Sequence, residues 1–327
     1  MSKFVGAEMG ISKVELLDCT IRDGGHLNNW EFTKEEVLDC YKAVSRAGFD
    51  YFEIGFLRSG GDTRKYGRWR ASALDDIAEV GSYPGCRIAV MVSVETDQMD
   101  DLPAAAVTGI TLIRLNLRFD YSLKIYETTR LFHKMKEKGY EVSLNLSSAD
   151  QYDWQKIDLV ANRFGSLDFK CIYLADTYGS LTEKTTHEQF CLFRGALDKY
   201  DSAIPLAFHP HNHMGNAMSK TQVALNHGIA MLDSTIYGLG KGGGNLSSEA
   251  VLLLLCDKIE ESLPIMAFSD KHMVKFDSTY RRTKNLYLLS AKLGVHPDKV
   301  PQLSGLSLEK AFRELVNSRN LPKCAGV

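Results

Sequence analysis

The chain has 327 residues, of which 44% are hydrophobic and 24% are charged, enough for one large folded domain and a smaller addition. Its 39 basic and 41 acidic residues give a formal net charge of -2, which gives no electrostatic reason to expect nucleic acid or an acidic membrane surface as a partner. The longest apolar run, at 251–255, is too short to span a bilayer.

The seven cysteines are scattered along the chain, and no two of them form a C-x-x-C pair. Residues 1–10 lack the long apolar segment of a secretion signal. Reduced thiols in a cytoplasm fit both observations. We therefore expect a cytoplasmic protein with no membrane segment.

Short apolar runs alternate with longer segments of helical periodicity over residues 14–260. The first long helix illustrates the signals, since Thr33 and Glu36 form a capping-box pattern and Gly48 ends the segment. Strands are predicted at 14–18, 51–55, 87–94, 112–117, 141–146, 171–176, 205–211 and 231–235. Helices are predicted at 33–47, 73–80, 123–138, 155–164, 184–200, 220–226 and 247–259.

Eight strand–helix units in this order predict parallel strands with crossover helices, closed into a (β/α)8 TIM barrel. A doubly wound open sheet is the competing architecture, but the first unit has no G-x-G-x-x-G fingerprint. After residue 262 the pattern becomes helical, with segments at 271–293 and 307–317. We therefore divide the chain into a catalytic barrel, 1–262, and a helical C-terminal extension, 263–327.

Catalytic residues of such barrels lie at the C-terminal ends of the strands and in the loops that follow them. Polar side chains are unusually dense at these places. They are Arg22, Asp23 and His26 after the first strand, Glu53 in the second, Arg114 in the fourth, Asn145 in the fifth, Thr177 after the sixth, His209 and His211 at the seventh, and Asn245 after the eighth.

The pair His209 and His211 is the sharpest feature of the sequence. Residues i and i+2 of a strand point to the same side, so both imidazoles aim at the barrel mouth. A lone strand histidine is usually a hydrogen-bonded core residue, but two of them with a carboxylate such as Asp23 form a natural shell for a divalent metal. His213 continues the alternation, but we expect it beside the site because the chain turns toward Gly215.

Three further features bear on the chemistry of the site, and two of them admit two interpretations. Arg22 is either a structural ion-pair partner or a stabiliser of an oxyanion formed in the reaction. His26 lies near the metal and the arginine, and its pKa near neutrality suits a general base. The glycine-rich loop 238–245 either lets the backbone approach a ligand closely or is a flexible connection.

Five segments of the chain form a recognisable set: LDCTIRDG at 17–24, FEIG at 52–55, ADTYG at 175–179, HPHN at 209–212 and the glycine-rich loop at 238–245. Together they resemble the DRE-TIM metallolyase (HMGL-like) superfamily, which includes isopropylmalate and homocitrate synthases, HMG-CoA lyase and 4-hydroxy-2-oxovalerate aldolase. The resemblance covers residues 14–260, with the motifs in the family's order.

The resemblance implies that Asp23, His209 and His211 bind a divalent metal, with Asn245 near or on it. Mn²⁺ or Mg²⁺ suits the mixed nitrogen and oxygen ligands and their open water positions, and Co²⁺ or Zn²⁺ is also compatible.

The resemblance also assigns roles around the substrate. Arg22 would stabilise an enolate, Thr177 would seat a 2-oxo acid, and Glu53 would support the site. We predict that Arg114 and Asn145, at the ends of their strands, also contact the substrate.

The sequence departs from the synthase branch after Asp23. The synthases follow Arg-Asp-Gly with Glu-Gln, whereas this chain has Gly25 and His26. A histidine there resembles the 4-hydroxy-2-oxovalerate aldolase branch, in which it is the catalytic base. The aldolases' extension also contributes a tyrosine, for which Tyr280 is the candidate.

We therefore expect an aldolase of 4-hydroxy-2-oxo acids that acts on a small 2-oxo acid and an aldehyde. Family habit suggests a homodimer formed through the extension, and the aldehyde dehydrogenase partner of some aldolases is not carried over. The nearest alternative is an acyl-CoA-dependent Claisen synthase or lyase, which would share every metal ligand. A non-haem iron oxygenase and a non-catalytic regulator with this fold are the more distant alternatives.

Overall fold

The structure is a computed structural model that describes residues 14–57, 66–94, 99, 101–118, 124–255, 259–276, 286–287, 289–291 and 293–318. Eight parallel strands in sequence order form a closed barrel, in which β1 pairs with both β2 and β8. The predicted TIM barrel is confirmed. The strands are β1 (Glu15–Asp18), β2 (Tyr51–Phe56), β3 (Arg87–Ser93), β4 (Ile110–Leu117), β5 (Glu141–Leu146), β6 (Ile172–Ala175), β7 (Leu206–His209) and β8 (Met231–Ser234).

Helices surround the barrel between successive strands and continue after the last one. The α-helices are α1 (Thr20–Gly24), α2 (Lys34–Arg46), α3 (Leu74–Gly81), α4 (Ala105–Thr108), α5 (Ile125–Glu137), α6 (Trp154–Phe164), α7 (Glu183–Lys199), α8 (Ala217–Asn226), α9 (Ser248–Leu255), α10 (Leu263–Phe268) and α11 (Leu308–Asn317). Short 3-10 segments join several of them, and among the described residues no helix is long and apolar enough to cross a membrane.

Two layers of side chains fill the inside of the barrel. The lower layer is an apolar plug that includes Leu17, Tyr51, Leu112, Ala207 and Met231. Because side chains alternate along a strand, the residue two positions after a plug residue also points inward, one layer nearer the C-terminal mouth. This second layer is polar, and its members include Glu53, Arg114, His209 and Asp233, all buried. The strand period thus places the polar residues directly above an apolar floor.

Strand β7 is shorter than the prediction, which extended it to residue 211. It ends at His209, because Pro210 has no backbone N–H to continue the ladder. His211 instead forms an isolated antiparallel bridge with Asn245. The two histidines still reach the same side of the barrel, and the bridge brings the loop after β8 to them.

The C-terminal extension contains helices, as predicted, but helical structure starts before the segment predicted at 271–293. The short helix α10 begins at Leu263, with Pro264 in its first turn, where the missing N–H has no cost. A π turn at Ser269–Met273 and a 3-10 turn at Val274–Phe276 follow. The remainder of the predicted helix lies partly outside the described residues.

The extension contributes to two apolar clusters. Ile265 and Phe268 of α10 pack into the main core of the barrel and its helices. A separate cluster farther along the chain contains Leu286, Tyr287, Val295, Val300, Leu303, Ala311 and Leu315. The division at residues 262 and 263 stays a prediction.

The capping box at the start of α2 provides a test of the local fold. The Thr33 hydroxyl accepts a hydrogen bond from Glu36 N at 3.1 Å, and the Glu36 carboxylate accepts one from Thr33 N at 2.9 Å. Thr33→Ala should lower the free energy of unfolding by about 1 kcal/mol, measured by urea denaturation. Thr33→Ser, which keeps the acceptor, is the control, and equal losses in both variants would contradict the capping role.

Candidate active site

The residues Arg22 and Asp23 lie on α1, a five-residue helix after β1 that the sequence pattern did not predict. Asp23 N donates to Cys19 O at 2.9 Å, and the Thr20 hydroxyl accepts from Ile236 N at 2.8 Å, which ties the helix to the loop after β8. Both Arg22 and Asp23 are buried and line a pocket at the C-terminal mouth. The turn therefore aims both side chains at the centre of the mouth.

The structure brings the three predicted metal ligands together. One nitrogen from each of His209 and His211 and one carboxylate oxygen of Asp23 all lie within 4.8 Å of one another. All three side chains are buried. This is the spacing that a single divalent cation needs in order to contact all three.

The orientation of His209 is fixed by a contact with Asp233, on the side of the ring away from the mouth. Its Nδ1 lies 2.8 Å from Asp233 Oδ2, so Nδ1 carries the proton that is donated to that carboxylate. Its Nε2 is then directed toward the mouth, 3.6 Å from Asp23 Oδ2. Burial opposes protonation of Nε2, but the two carboxylates together raise the pKa of His209, and a cation at Nε2 would compete with that proton.

His211 is oriented by a second imidazole. His213 Nδ1 lies 2.9 Å from the Tyr178 carbonyl and donates to it, and His213 Nε2 lies 3.1 Å from His211 Nδ1 and 3.2 Å from the Lys241 carbonyl. In a neutral His213 that donates from Nδ1, Nε2 is the acceptor for His211 Nδ1. Burial lowers the pKa of both His211 and His213, which keeps them neutral. His211 Nε2 therefore has a free lone pair, the form in which histidine binds metals.

The glycine-rich loop 238–245 packs closely against His213 and Asn245. A Cβ at Gly242, whose φ is +81°, would lie 2.3 Å from His213 Nε2, and a Cβ at Gly240 would lie 2.4 Å from Asn245 Nδ2. Asn245 Nδ2 donates to Asp23 Oδ2. The glycines are thus required for close packing of the loop against His213 and Asn245.

A buried chain of alternating charges connects the two halves of the site. Glu53 Oε2 accepts from Arg22 Nε at 2.6 Å and lies 2.9 Å from Arg114 Nη1. Arg114 Nη2 donates to Asp233 Oδ2 at 2.5 Å, and Asp233 holds His209. Burial opposes the charge, but the flanking carboxylates raise the pKa of Arg22 and Arg114. Each charge is therefore compensated by its neighbours.

The donor set at the mouth fits a divalent metal. Burial opposes ionisation, but Arg22 and His209 lower the pKa of Asp23 well below its usual value, so its carboxylate is available as an anionic ligand. Asn245 Oδ1 is buried and has no hydrogen-bond partner among the described residues, which suits a position on or beside the metal. Asp23, His209 and His211 would hold the ion.

His26 lies at the edge of this arrangement, on a 3-10 turn after α1. Its Nε2 is 3.8 Å from Asp23 Oδ1, and its ring contacts Trp30 edge-on at 4.6 Å. Gly25 permits this packing, because a Cβ there would lie 2.1 Å from the indole of Trp30. Enclosure by the pocket lowers the pKa of His26, although 31% of the side chain is exposed and solvent limits the shift. His26 is therefore neutral at pH 7 and accessible to a substrate.

The other predicted site residues divide into two groups. The side chains of Asn145 and Thr177 line the pocket, with the Asn145 Oδ1 at 3.0 Å from Arg114 Nη2. Glu53 and Arg114 are fully buried beneath the pocket and do not line it. Tyr280 lies outside the described residues.

Two residues at the mouth were missed by the sequence reasoning. Asp233 contacts His209, and His296 of the C-terminal extension lines the pocket, where its ring meets Tyr178 at 5.1 Å. His213, which the sequence analysis expected beside the site, lies there and contacts His211. Asp233 could have been found as a charged residue at an inward position of a buried strand. No local signal marks His296, because it reaches the mouth only through the packing of the extension.

The fold and site define a barrel with a His–His–Asp cluster, a buried arginine and a further histidine at its C-terminal mouth. The model of the HMGL-like family matches residues 13–269. The chain belongs to the HMGL-like family, and family membership together with its aldolase-named relatives supports a carbon–carbon lyase.

The relatives are named as aldolases. The 4-hydroxy-2-oxovalerate aldolase of Bacillus thuringiensis (strain Al Hakam) is 28% identical over 257 residues, which cover 77% of this chain and 72% of that protein. The 4-hydroxy-2-oxovalerate aldolase of Roseiflexus sp. (strain RS-1) is 27% identical over 259 residues, which cover 78% of this chain and 74% of that protein.

Solved structures share the fold. The N-terminal domain of a candidate aldolase from Bacteroides vulgatus superposes with a TM-score of 0.75 at 21% identity, covering 92% of this chain and 100% of that one. Hydroxymethylglutaryl-CoA lyase from Pseudomonas aeruginosa superposes with a TM-score of 0.59 at 21% identity, covering 78% of this chain and 91% of that one.

The buried charge chain predicts a large effect of neutralising Arg114. Arg114→Met would remove the cation between Glu53 and Asp233 and leave these buried carboxylates with only Arg22 and His209 as partners. We therefore expect the free energy of unfolding to fall by about 3–5 kcal/mol in urea denaturation. Lys136→Met is the control, since its ion pair with Asp168 is exposed and should change stability by less than about 1 kcal/mol. Equal small effects of the two replacements on stability would show that Arg114 does not stabilise Glu53 and Asp233 in this way.

The contact between the Asp233 carboxylate and His209 Nδ1 predicts that Asp233 affects metal affinity. Asp233→Asn keeps the shape but weakens the hold on His209 Nδ1, so Mn²⁺ affinity measured by calorimetry should fall about 10- to 100-fold. Asp168→Asn, at an exposed position outside the mouth, should bind Mn²⁺ as the parent does. Unchanged affinity in the Asp233 variant would remove this carboxylate from the metal centre.

Proposed function

We propose that this protein is a divalent-metal-dependent aldolase that cleaves or forms 4-hydroxy-2-oxo acids, with the pyruvate enolate, or a homologue, and an aldehyde as the two halves. The observation that carries the proposal is the convergence of Asp23, His209 and His211 within 4.8 Å, beside a buried arginine and an accessible histidine. The names of the relatives support the same reaction.

A divalent cation held by the three ligands would supply Lewis acidity toward the carboxylate and keto oxygens of a 2-oxo acid. The mixed nitrogen and oxygen ligands favour Mn²⁺ or Mg²⁺. The partners in this proposal are small molecules, and the cell compartment that we propose is the cytoplasm.

His26 is the proposed general base. Its neutral imidazole is accessible at the mouth and lies 3.8 Å from the nearest ligand oxygen of Asp23. In the cleavage direction it takes the proton of the 4-hydroxyl group, the electron pair of the O–H bond forms the carbonyl, and the bond between carbons 3 and 4 breaks. The products of this step are an aldehyde and an enolate, and in the reverse direction His26 returns the proton.

Arg22 is the proposed stabiliser of the enolate oxygen. Its Nε and Nη1 are occupied by Glu53 and Asp23, whereas Nη2 is buried and makes no hydrogen bond to any described residue. Since an unsatisfied buried N–H is costly, a donor that is left open at the pocket suits an oxygen on which charge develops. Protonation of the enolate at carbon 3 then gives the free 2-oxo acid.

The remaining residues have separable roles in this proposal. Thr177 and Asn145, whose side chains line the pocket, contact the 2-oxo acid. Glu53 and Arg114 position Arg22, Asn145 and Asp233 from beneath and do not contact the substrate.

The reaction is tested by pyruvate release, followed with lactate dehydrogenase, from a panel of 4-hydroxy-2-oxo acids. We expect release that depends on Mn²⁺ or Mg²⁺ and stops when a chelator removes the ion. His209→Ala and His211→Ala should lose bound metal and activity together, and activity in a metal-free variant would contradict the assignment. Release of free thiol from an acyl-CoA in the presence of a 2-oxo acid, with no pyruvate from any panel member, would instead establish Claisen chemistry.

The base is tested separately from the metal. His26→Ala should lower kcat by about 10²- to 10⁴-fold, because the proton must then leave to water, while Mn²⁺ binding stays intact. His133→Ala, at an exposed position of α5, is the matched control and should keep full activity. Unchanged turnover in the His26 variant would exclude it as the base.

A further inference from the structure

A second group of metal-binding side chains lies on the outside of the barrel. His187 and Cys191 are exposed on α7, and His227 is half-buried at the end of α8. None of the three lines the pocket at the mouth. The proposed reaction gives them no role.

The spacing within α7 places two of the side chains on one face. Residues four apart on a helix are neighbours, and His187 Nε2 lies 3.6 Å from Cys191 Sγ. His227 approaches from α8, with its Nε2 at 2.9 Å from His187 Nδ1. One ligand atom from each residue falls within 4.8 Å of the other two.

One of these separations matches the requirements of zinc. With Zn–N near 2.1 Å and Zn–S near 2.3 Å, a tetrahedral site separates its nitrogen and sulfur ligands by about 3.6 Å. The separation of His187 Nε2 from Cys191 Sγ has this value. The contact of His227 with His187 is shorter and engages the other ring nitrogen, so His227 needs a small rotation to join the same ion.

Packing holds the third ligand in place. The ring of His227 stacks on Phe190 with centroids 5.5 Å apart and an interplanar angle of 22°, and Phe190 is buried against Phe208. Burial and the neighbouring His187 lower the pKa of His227, so its lone pair is available at neutral pH. His227 therefore has less conformational entropy to lose on binding an ion than an unpacked side chain would.

We propose that His187, Cys191 and His227 form a second metal site that binds Zn²⁺, with a fourth position filled by water. The thiolate makes this site softer than the Asp–His–His cluster at the mouth, so the two sites differ in metal preference. An ion here would connect α7 to α8 on the outer surface. Binding converts the thiol to a thiolate and releases its proton to solvent.

Cobalt separates the two sites spectroscopically. The full chain carrying His209→Ala, which disables the mouth site, is titrated with Co²⁺, and a near-ultraviolet band from thiolate-to-cobalt charge transfer is followed. We expect the band to saturate at one Co²⁺ per chain and to disappear when Zn²⁺ is added. Asp23, His209 and His211 have no sulfur ligand, but Cys19 Sγ lies within 4.8 Å of ligand atoms of His209 and Asp233. The His209→Ala background removes the imidazole from that group, and the Cys191→Ser variant distinguishes the two thiols.

Variants assign the band to the three residues. Adding Cys191→Ser should abolish it, and adding His187→Ala or His227→Ala should weaken Co²⁺ binding at least tenfold, whereas Cys86→Ser, at a different free cysteine, should leave it unchanged. Cys191 and His187 are exposed, so these replacements do not disturb the core. No band, or a band that survives Cys191→Ser, would overturn the site and leave only a hydrogen-bonded surface cluster.

Discussion

The arrangement of the mouth depends on the buried charge chain from Arg22 through Glu53, Arg114 and Asp233 to His209. A charge without solvent is tolerated only when it is paired and hydrogen-bonded, so every member needs its neighbours. Because Arg22 and His209, at the two ends of this series of contacts, both line the pocket at the mouth, the same contacts that make burial tolerable also fix the geometry of the site. The positions of the side chains in the site are therefore set by the pairing of buried opposite charges, and an apolar layer packs beneath them.

The layers above and below this chain complete the site. The apolar plug below excludes water from the charges, which strengthens the attraction between them. Above, the glycine-rich loop packs against His213 and Asn245 at distances that no larger residue allows. The C-terminal extension adds His296 and, through an ion pair of Lys241 with Asp298, encloses one side of the pocket. The mouth is consequently a cavity lined mainly by polar side chains.

Family membership and local geometry carry different parts of the functional argument. Membership in the HMGL-like family supports cleavage of a carbon–carbon bond, and it is shared by aldolases and acyl-CoA lyases. What favours the aldolase is local, namely His26 at the place where the synthases carry Glu-Gln, supported by packing of Gly25 against Trp30. The proposed surface zinc site is independent of both, since its residues lie on α7 and at the end of α8 and not at the mouth of the barrel.

The sequence by itself determined the barrel and identified Asp23, His209 and His211, which the structure brings together. Period-2 strands and period-3.6 helices depend on short-range patterns. Strand alternation pointed to the pair His209 and His211, although the strand ends at His209 and the bridge to Asn245 holds His211. The tertiary structure determined the long-range contacts, which local sequence patterns do not encode. Asp233 meets Arg114 across 119 residues, and His213 meets Tyr178 across 35. The helix α1 and the start of the extension at Leu263 depend on contacts with distant segments. Charge compensation and close packing act between residues that are far apart in the chain, so only the folded structure reveals them.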